Sequence, residues 1–147
     1  MITLKHITRS IYFLLAILLL PTTTLAAPPA TIASCEGIQD AYPILGKKCA
    51  TEYAKINHAP ANQSERAKTL KARISVLTIF RKAYVCNGIF KATKSAQQRF
   101  ISSEEGHLMA VDNLINAMTV AGDPNIPDYD DIVKKLHKVS MTKQQCK

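Results

Sequence analysis

Residues 64–88 read SERAKTLKARISVLTIFRKAYVCNG. Leu70, Ile74, Leu77 and Tyr84 recur at intervals of three, four and seven, and Val76, Ile79, Ala83 and Cys86 form a second stripe beside them. Intervals of that kind are the signature of a helix. Two adjacent stripes make an apolar face too wide for one neighbour, so this helix should be buried against several and sit at the centre of the fold. Ser64 is placed to cap its start, with Glu65 in the first turn where a negative charge suits the helix dipole. Asn87-Gly88 reads as a stop, since Gly accepts the left-handed cap conformation. Ile89, Thr93, Ala96 and Phe100 nevertheless continue at helical spacing, so the helix either runs on or restarts after Gly88.

Upstream, Cys35, Ile38, Tyr42, Leu45, Cys49, Tyr53 and Ile56 lie on one narrow arc of a helical wheel. The stripe keeps its phase across Pro43, which predicts one helix over 34–57, kinked where the proline removes a backbone donor. A short helix followed by a second starting at Pro43 is the alternative, because Pro also suits a helix's first turn. Residues 58–62 form a turn, and Asn62-Gln63-Ser64 within reach of it matches an N-glycosylation acceptor. Downstream, Ser102 and Glu105 make a capping-box pattern opening a third helix through Leu108, Val111, Leu114, Ile115 and Met118 to Gly122. A Pro-rich loop follows. Asp128 caps a last helix that turns Tyr129, Ile132, Val133, Leu136 and Val139 inward and Lys134, Lys135 and Lys138 outward. No stretch alternates with period two. The expectation is an all-α, up-down bundle of about four helices in a single domain, 34–147.

The first 26 residues are of another kind. Lys5, His6 and Arg9 precede an unbroken apolar run, Ile11 to Leu20, and Thr24-Leu25-Ala26 supplies small residues for cleavage, the pattern of a secretory signal peptide. Residues 27–33 read as a flexible Pro-rich leader. Removing that segment takes away two of the 19 Lys and Arg and none of the 11 Asp and Glu, so a chain of formal charge +8 becomes one of +6. All four cysteines, Cys35, Cys49, Cys86 and Cys146, remain, and an even number in an exported chain reads as two disulfides. If the first two long helices form a hairpin about Pro60, Cys35 and Cys86 sit at equal height. That pairs Cys35 with Cys86 and leaves Cys49 for Cys146.

Between Arg66 and Arg99 stand nine Lys and Arg and no acid. Arg73 and Arg81 fall within the apolar stripes, where a buried charge requires a partner, and are expected to form structural ion pairs with Glu36, Asp40, Glu52 or Asp112. Lys68, Lys71 and Lys82 share a polar face with Ser75 and Thr78. With Lys134, Lys135 and Lys138 they form the candidate surface for an anionic partner. Glu104-Glu105-Gly106-His107 is the one motif suited to a metal, but bundle carboxylate sites need two such motifs and only one is present, so no metal or other cofactor is expected. His107 reads as a partly buried histidine satisfied by a carbonyl or an acid, His58 and His137 have no carboxylate or nucleophile at a telling spacing, and no catalytic residue is assigned. Inward-facing aromatics leave no stacking platform for nucleic acid.

In format, a signal segment at Lys5 to Ala26 followed by a small Lys-rich helical chain with four cysteines, the sequence resembles small all-helical proteins exported by the type II secretion pathway of Gram-negative pathogens. The resemblance implies folding and disulfide formation in the periplasm, then release as an effector-like virulence factor. The function expected is non-enzymatic binding to acidic lipid headgroups or an acidic partner protein, with no transmembrane segment after cleavage. Two alternatives stand beside it, a periplasmic structural or chaperone-like protein and a small secreted hydrolase with a site near His107.

Overall fold

A computed structural model describes residues 34–147; the expected signal peptide and leader lie outside the described residues. The described residues form five helices and no strand: α1 (Cys35–Ala41), α2 (Pro43–Tyr53), α3 (Gln63–Ile89), α4 (Lys94–Val120) and α5 (Tyr129–His137).

The continuous helix expected over 34–57 is instead two helices that fold back on each other. Tyr42 precedes a proline, and the proline ring excludes it from helical conformation; its φ of −138° and ψ of 81° end α1, while Pro43 occupies the first turn of α2. Reversal brings the Cα atoms of Cys35 and Cys49 to 5.3 Å, joined by a disulfide. Fourteen residues of unbroken helix would hold those atoms roughly 21 Å apart. Gly46 makes the close approach possible, because a Cβ there would overlap the backbone of Gln39. The second disulfide joins Cys86 to Cys146. Both pairings differ from those derived from a hairpin about Pro60, since the first turn of the chain lies at Tyr42 and Cys35 never enters the helix that packs on α3.

Helix α3 is capped by Asn62 rather than Ser64: the Asn62 side chain accepts from the Glu65 amide at 3.0 Å, and the Glu65 carboxylate accepts from the Ala61 amide at 2.8 Å. At its other end Gly88 stays inside the helix, and Lys91 takes the left-handed position with φ 53°. The chain restarts at Thr93, whose hydroxyl accepts from the Ala96 amide, so α4 begins well before Ser102. Gly122, at φ 71°, ends α4 in the expected left-handed turn, and Asp128 caps α5 as expected.

The two stripes of α3 divide the core. Ala72, Val76, Ile79, Phe80, Ala83 and Cys86 pack with α1, α2, Phe100 and Cys146, and Leu70 and Leu77 pack with Val111, Ile115 and Met118 of α4 and Ile132 and Leu136 of α5. Contacts between α3 and α4 run in opposite sequence order, Arg66 with Asp123, Phe80 with Phe100 and His107, Tyr84 with Phe100, so the pair is antiparallel. Tyr42 closes the far end of α2 on α3, its hydroxyl donating to Asn87 Oδ1 at 2.6 Å while burial raises its pKa.

Candidate functional site

The face of α3 left open by these contacts carries Lys71, Ile74, Ser75, Thr78 and Lys82, and it floors a shallow trough. Between α2 and α3 lies a depression of about 580 Å³ walled by Lys47, Lys48, Thr51, Glu52 and Lys82. Ile74 and Ser75 also line a depression reaching Lys71 and the loop at Pro124 and Pro127, and Ile74 and Thr78 line another reaching Lys135, Leu136 and Val139. The three are neighbours that share Ile74 as a common lining residue. An apolar floor of Ile74, Ile79, Ile132 and Leu136 is therefore edged by Lys47, Lys48, Lys71, Lys82 and Lys135. Among the described residues Glu52 is the single carboxylate on its walls, and Lys55 holds it at 2.6 Å.

Hydrogen bonding leaves the trough little self-satisfaction beyond its helices. Thr78 and Thr51 each return their hydroxyls to the carbonyl four residues earlier, whereas the Ser75 side chain makes no hydrogen bond among the described residues. The lysines named from the sequence divide accordingly. Lys71, Lys82 and Lys135 come together around the trough. Lys68 is exposed one turn before Lys71, and Lys138 is exposed at the end of α5, both outside the lining. Lys134 lies 3.6 Å from Asp131 on its own helix. Lys47 and Lys48, which complete the far wall, were not singled out by pattern; they flank Leu45 and Cys49, buried positions that fix which way α2 faces.

The arginines serve a different interface. Arg81 meets Glu104 at 3.3 Å and lies over the Tyr84 ring at 4.8 Å, so it is ion-paired as expected, but by an acid of the metal-like motif rather than by those named. Arg66 forms a two-pronged bridge to Asp123, 2.6 and 2.7 Å, joining the start of α3 to the loop after α4. That hydrogen bond lowers the Asp123 pKa and raises that of Arg66. Arg73, also expected to be paired, meets no carboxylate among the described residues. Asp112 is turned elsewhere, close enough to Tyr129 of α5 to help raise its pKa, where burial is the larger cause.

His107 packs against Phe80 with ring centroids 4.5 Å apart and the ring planes tilted by 54°. Burial, and secondarily the charge of Arg73, lower its pKa from 6.5. Among the described residues no hydrogen bond or ion pair joins His58, His107 or His137 to a serine or carboxylate, no group of three potential ligands could hold a metal ion, and no cysteine is free.

Fold and site together define a disulfide-stapled, all-helical protein with a lysine-edged trough on its central helix. No protein-family model matches the chain, and no curated protein or solved structure shows significant similarity to it. No described helix is long and apolar enough to cross a membrane. The two disulfides fit an oxidising compartment such as the periplasm or the cell exterior.

Proposed function

We propose that this is an exported, non-enzymatic binding protein whose trough takes an acidic segment of a partner protein. The observation that carries this reading is the convergence of lysines from α2, α3 and α5 around an apolar floor with one already neutralised carboxylate. Lys71 and Lys82 are eleven residues apart, roughly 16 Å of helix. An extended chain covers that length with about five residues, alternate side chains pointing to the floor and to the rims. A segment alternating acidic and apolar residues fits both. A flat lipid surface would meet the rims without reaching Ile74 or Ser75, so the concave shape favours the peptide.

The test is fluorescence anisotropy with a labelled peptide alternating Glu and Leu, beside co-sedimentation with vesicles of acidic or neutral lipid. The peptide should bind with an affinity that falls as salt screens the lysines. Lys71→Glu combined with Lys82→Glu should weaken it at least about tenfold, since reversing two rim charges replaces attraction by repulsion. Lys143→Glu, in the tail outside the trough, should leave it unchanged. Peptide binding indifferent to the double substitution would refute the reading; binding to acidic vesicles alone would replace the acidic segment by a lipid surface.

A further inference from the structure

On the opposite face of α3, about half a turn of the wheel from the trough, a cleft of about 460 Å³ opens between α3, α4 and the turn at residues 57–60. Its cations are Arg66 and Arg73, its polar wall includes His58 and Asn113, and Leu114 and Ala117 supply apolar surface. Arg66 is consumed by Asp123. Arg73 is half-buried and has no carboxylate, carbonyl or side-chain acceptor among the described residues, although the arginines before and after it on the same seam each have an acid. The α4 residues lining the cleft, Ala110, Asn113, Leu114 and Ala117, include no acid. None of its guanidinium nitrogens is among the buried unpartnered atoms, so its five donors stay open to the cleft and free to meet a ligand.

We propose that this cleft is a binding site for a small organic carboxylate, held by Arg73 through its planar fork, with His58 and Asn113 beside the headgroup and the short apolar body against Leu114 and Ala117. The fork matches a carboxylate in two parallel hydrogen bonds, a geometry that Lys cannot reproduce. The source is either a free short-chain acid or the C-terminal carboxylate of a peptide, and the chemistry required is the same. This site is independent of the trough: it lies on other residues and across the helix.

The experiment is a ligand titration of the full exported chain followed by NMR of backbone amides and histidine rings. The probes are butyrate, its neutral amide, and a tripeptide ending in Leu with a free or amidated C-terminus. Butyrate or the free-acid tripeptide should bind with Kd on the order of 1 mM, appropriate to so few atoms, and shift the signals of Arg73, His58 and Asn113. Because the bound anion offsets the Arg73 charge, the His107 pKa should rise on saturation. Arg73→Met should remove binding while retaining the folded spectrum, since it deletes an unpaired charge and keeps the apolar stem; Arg73→Lys should weaken it about tenfold by the loss of one of two charged hydrogen bonds. Binding that survives Arg73→Met, equal binding of the amides, or no shift at these residues with any acid would each overturn the proposal. Lys71→Glu with Lys82→Glu should leave carboxylate binding intact, so failure here and failure of the trough are separate results.

Discussion

Replacing one glycine by alanine tests the reversal at Tyr42 through the sign of its effect. In a helix interior, Gly→Ala ordinarily stabilises by up to about 1 kcal/mol, because Gly loses more backbone freedom on folding. Gly106 in α4 is exposed with nothing within 4 Å of where a Cβ would stand, so Gly106→Ala should show that gain. Gly46 in α2 is helical too, but its Cβ would fall on the Gln39 backbone of α1, and backbone cannot swing aside as a side chain can. The helices would have to separate, and the Cys35–Cys49 bridge three residues away limits how far they can. Overpacking of this kind costs about 3 kcal/mol. After the propensity gain the net loss is about 2 kcal/mol, so the two alanine variants should differ by about 3 kcal/mol in opposite directions. Urea unfolding followed by circular dichroism reads both midpoints, with thermal shifts of about 4 °C per kcal/mol as a second measure for a domain of this size. If Gly46→Ala stabilised the protein as much as Gly106→Ala, α1 and α2 would not be packed face to face, and the single kinked helix would be the better description.

Two further measurements bear on the same framework. A peptide map of the unreduced protein should join Cys35 to Cys49 and Cys86 to Cys146; with sequence separations of 14 and 60, the chain-entropy model gives losses of about 3 and about 4 kcal/mol for the paired Cys→Ser variants, and a Cys35–Cys86 peptide would reject both. The Arg66 bridge should show in acid: since it lowers the Asp123 pKa from 3.8, its contribution is complete above the unfolded value and is lost as pH falls through the folded one. Asp123→Asn should be less stable than the parent near neutral pH and converge on it in strong acid; a gap between their urea midpoints that stays constant between pH 6 and 2, in this proposed test, would show that the bridge does not govern the titration.

Much of the helical arrangement was legible because α3 is long and strongly patterned. Its two stripes, read from Leu70 and Val76 onward, became the two halves of the core with only Tyr84 crossing between them. Local signals were present but misweighted elsewhere. Asn62 and Glu65 stand at the same spacing as a capping pair, and they won over Ser64 because the Glu65 carboxylate also reaches back to the Ala61 amide. At Tyr42 the apolar stripe continued in phase, and the steric demand of the following proline overrode it. The Ser102 and Glu105 pattern occurs inside α4 and caps nothing, because Thr93 had already started the helix. The far wall of the trough could not be read at all from one dimension. Lys47 and Lys48 reach Lys82 only because α2 turns Leu45 and Cys49 into the core, a fact of packing rather than spacing.

The sorting of cations on α3 follows from their chemistry and gives both sites a common origin. Arg66, Arg73 and Arg81 point toward the α4 side, while Lys68, Lys71 and Lys82 lie on the open side. A guanidinium is weakly hydrated and presents a flat fork, so it tolerates a seam between helices if an acid meets it; an ammonium is strongly hydrated and stays where water reaches it. At the seam, Asp123 and Glu104 meet the first and last arginine, and among the described residues no acid meets the middle one. On the open face, no acid intervenes between Lys71 and Lys82, and the one acid nearby is held by Lys55. Solubility alone would be served by lysines scattered over any face. It does not account for a half-buried arginine left without an anion between two that have one, nor for lysines of three helices edging one apolar floor. The two proposals share this basis: each places an anion where cations of α3 face open space, with its size set by the lining residues.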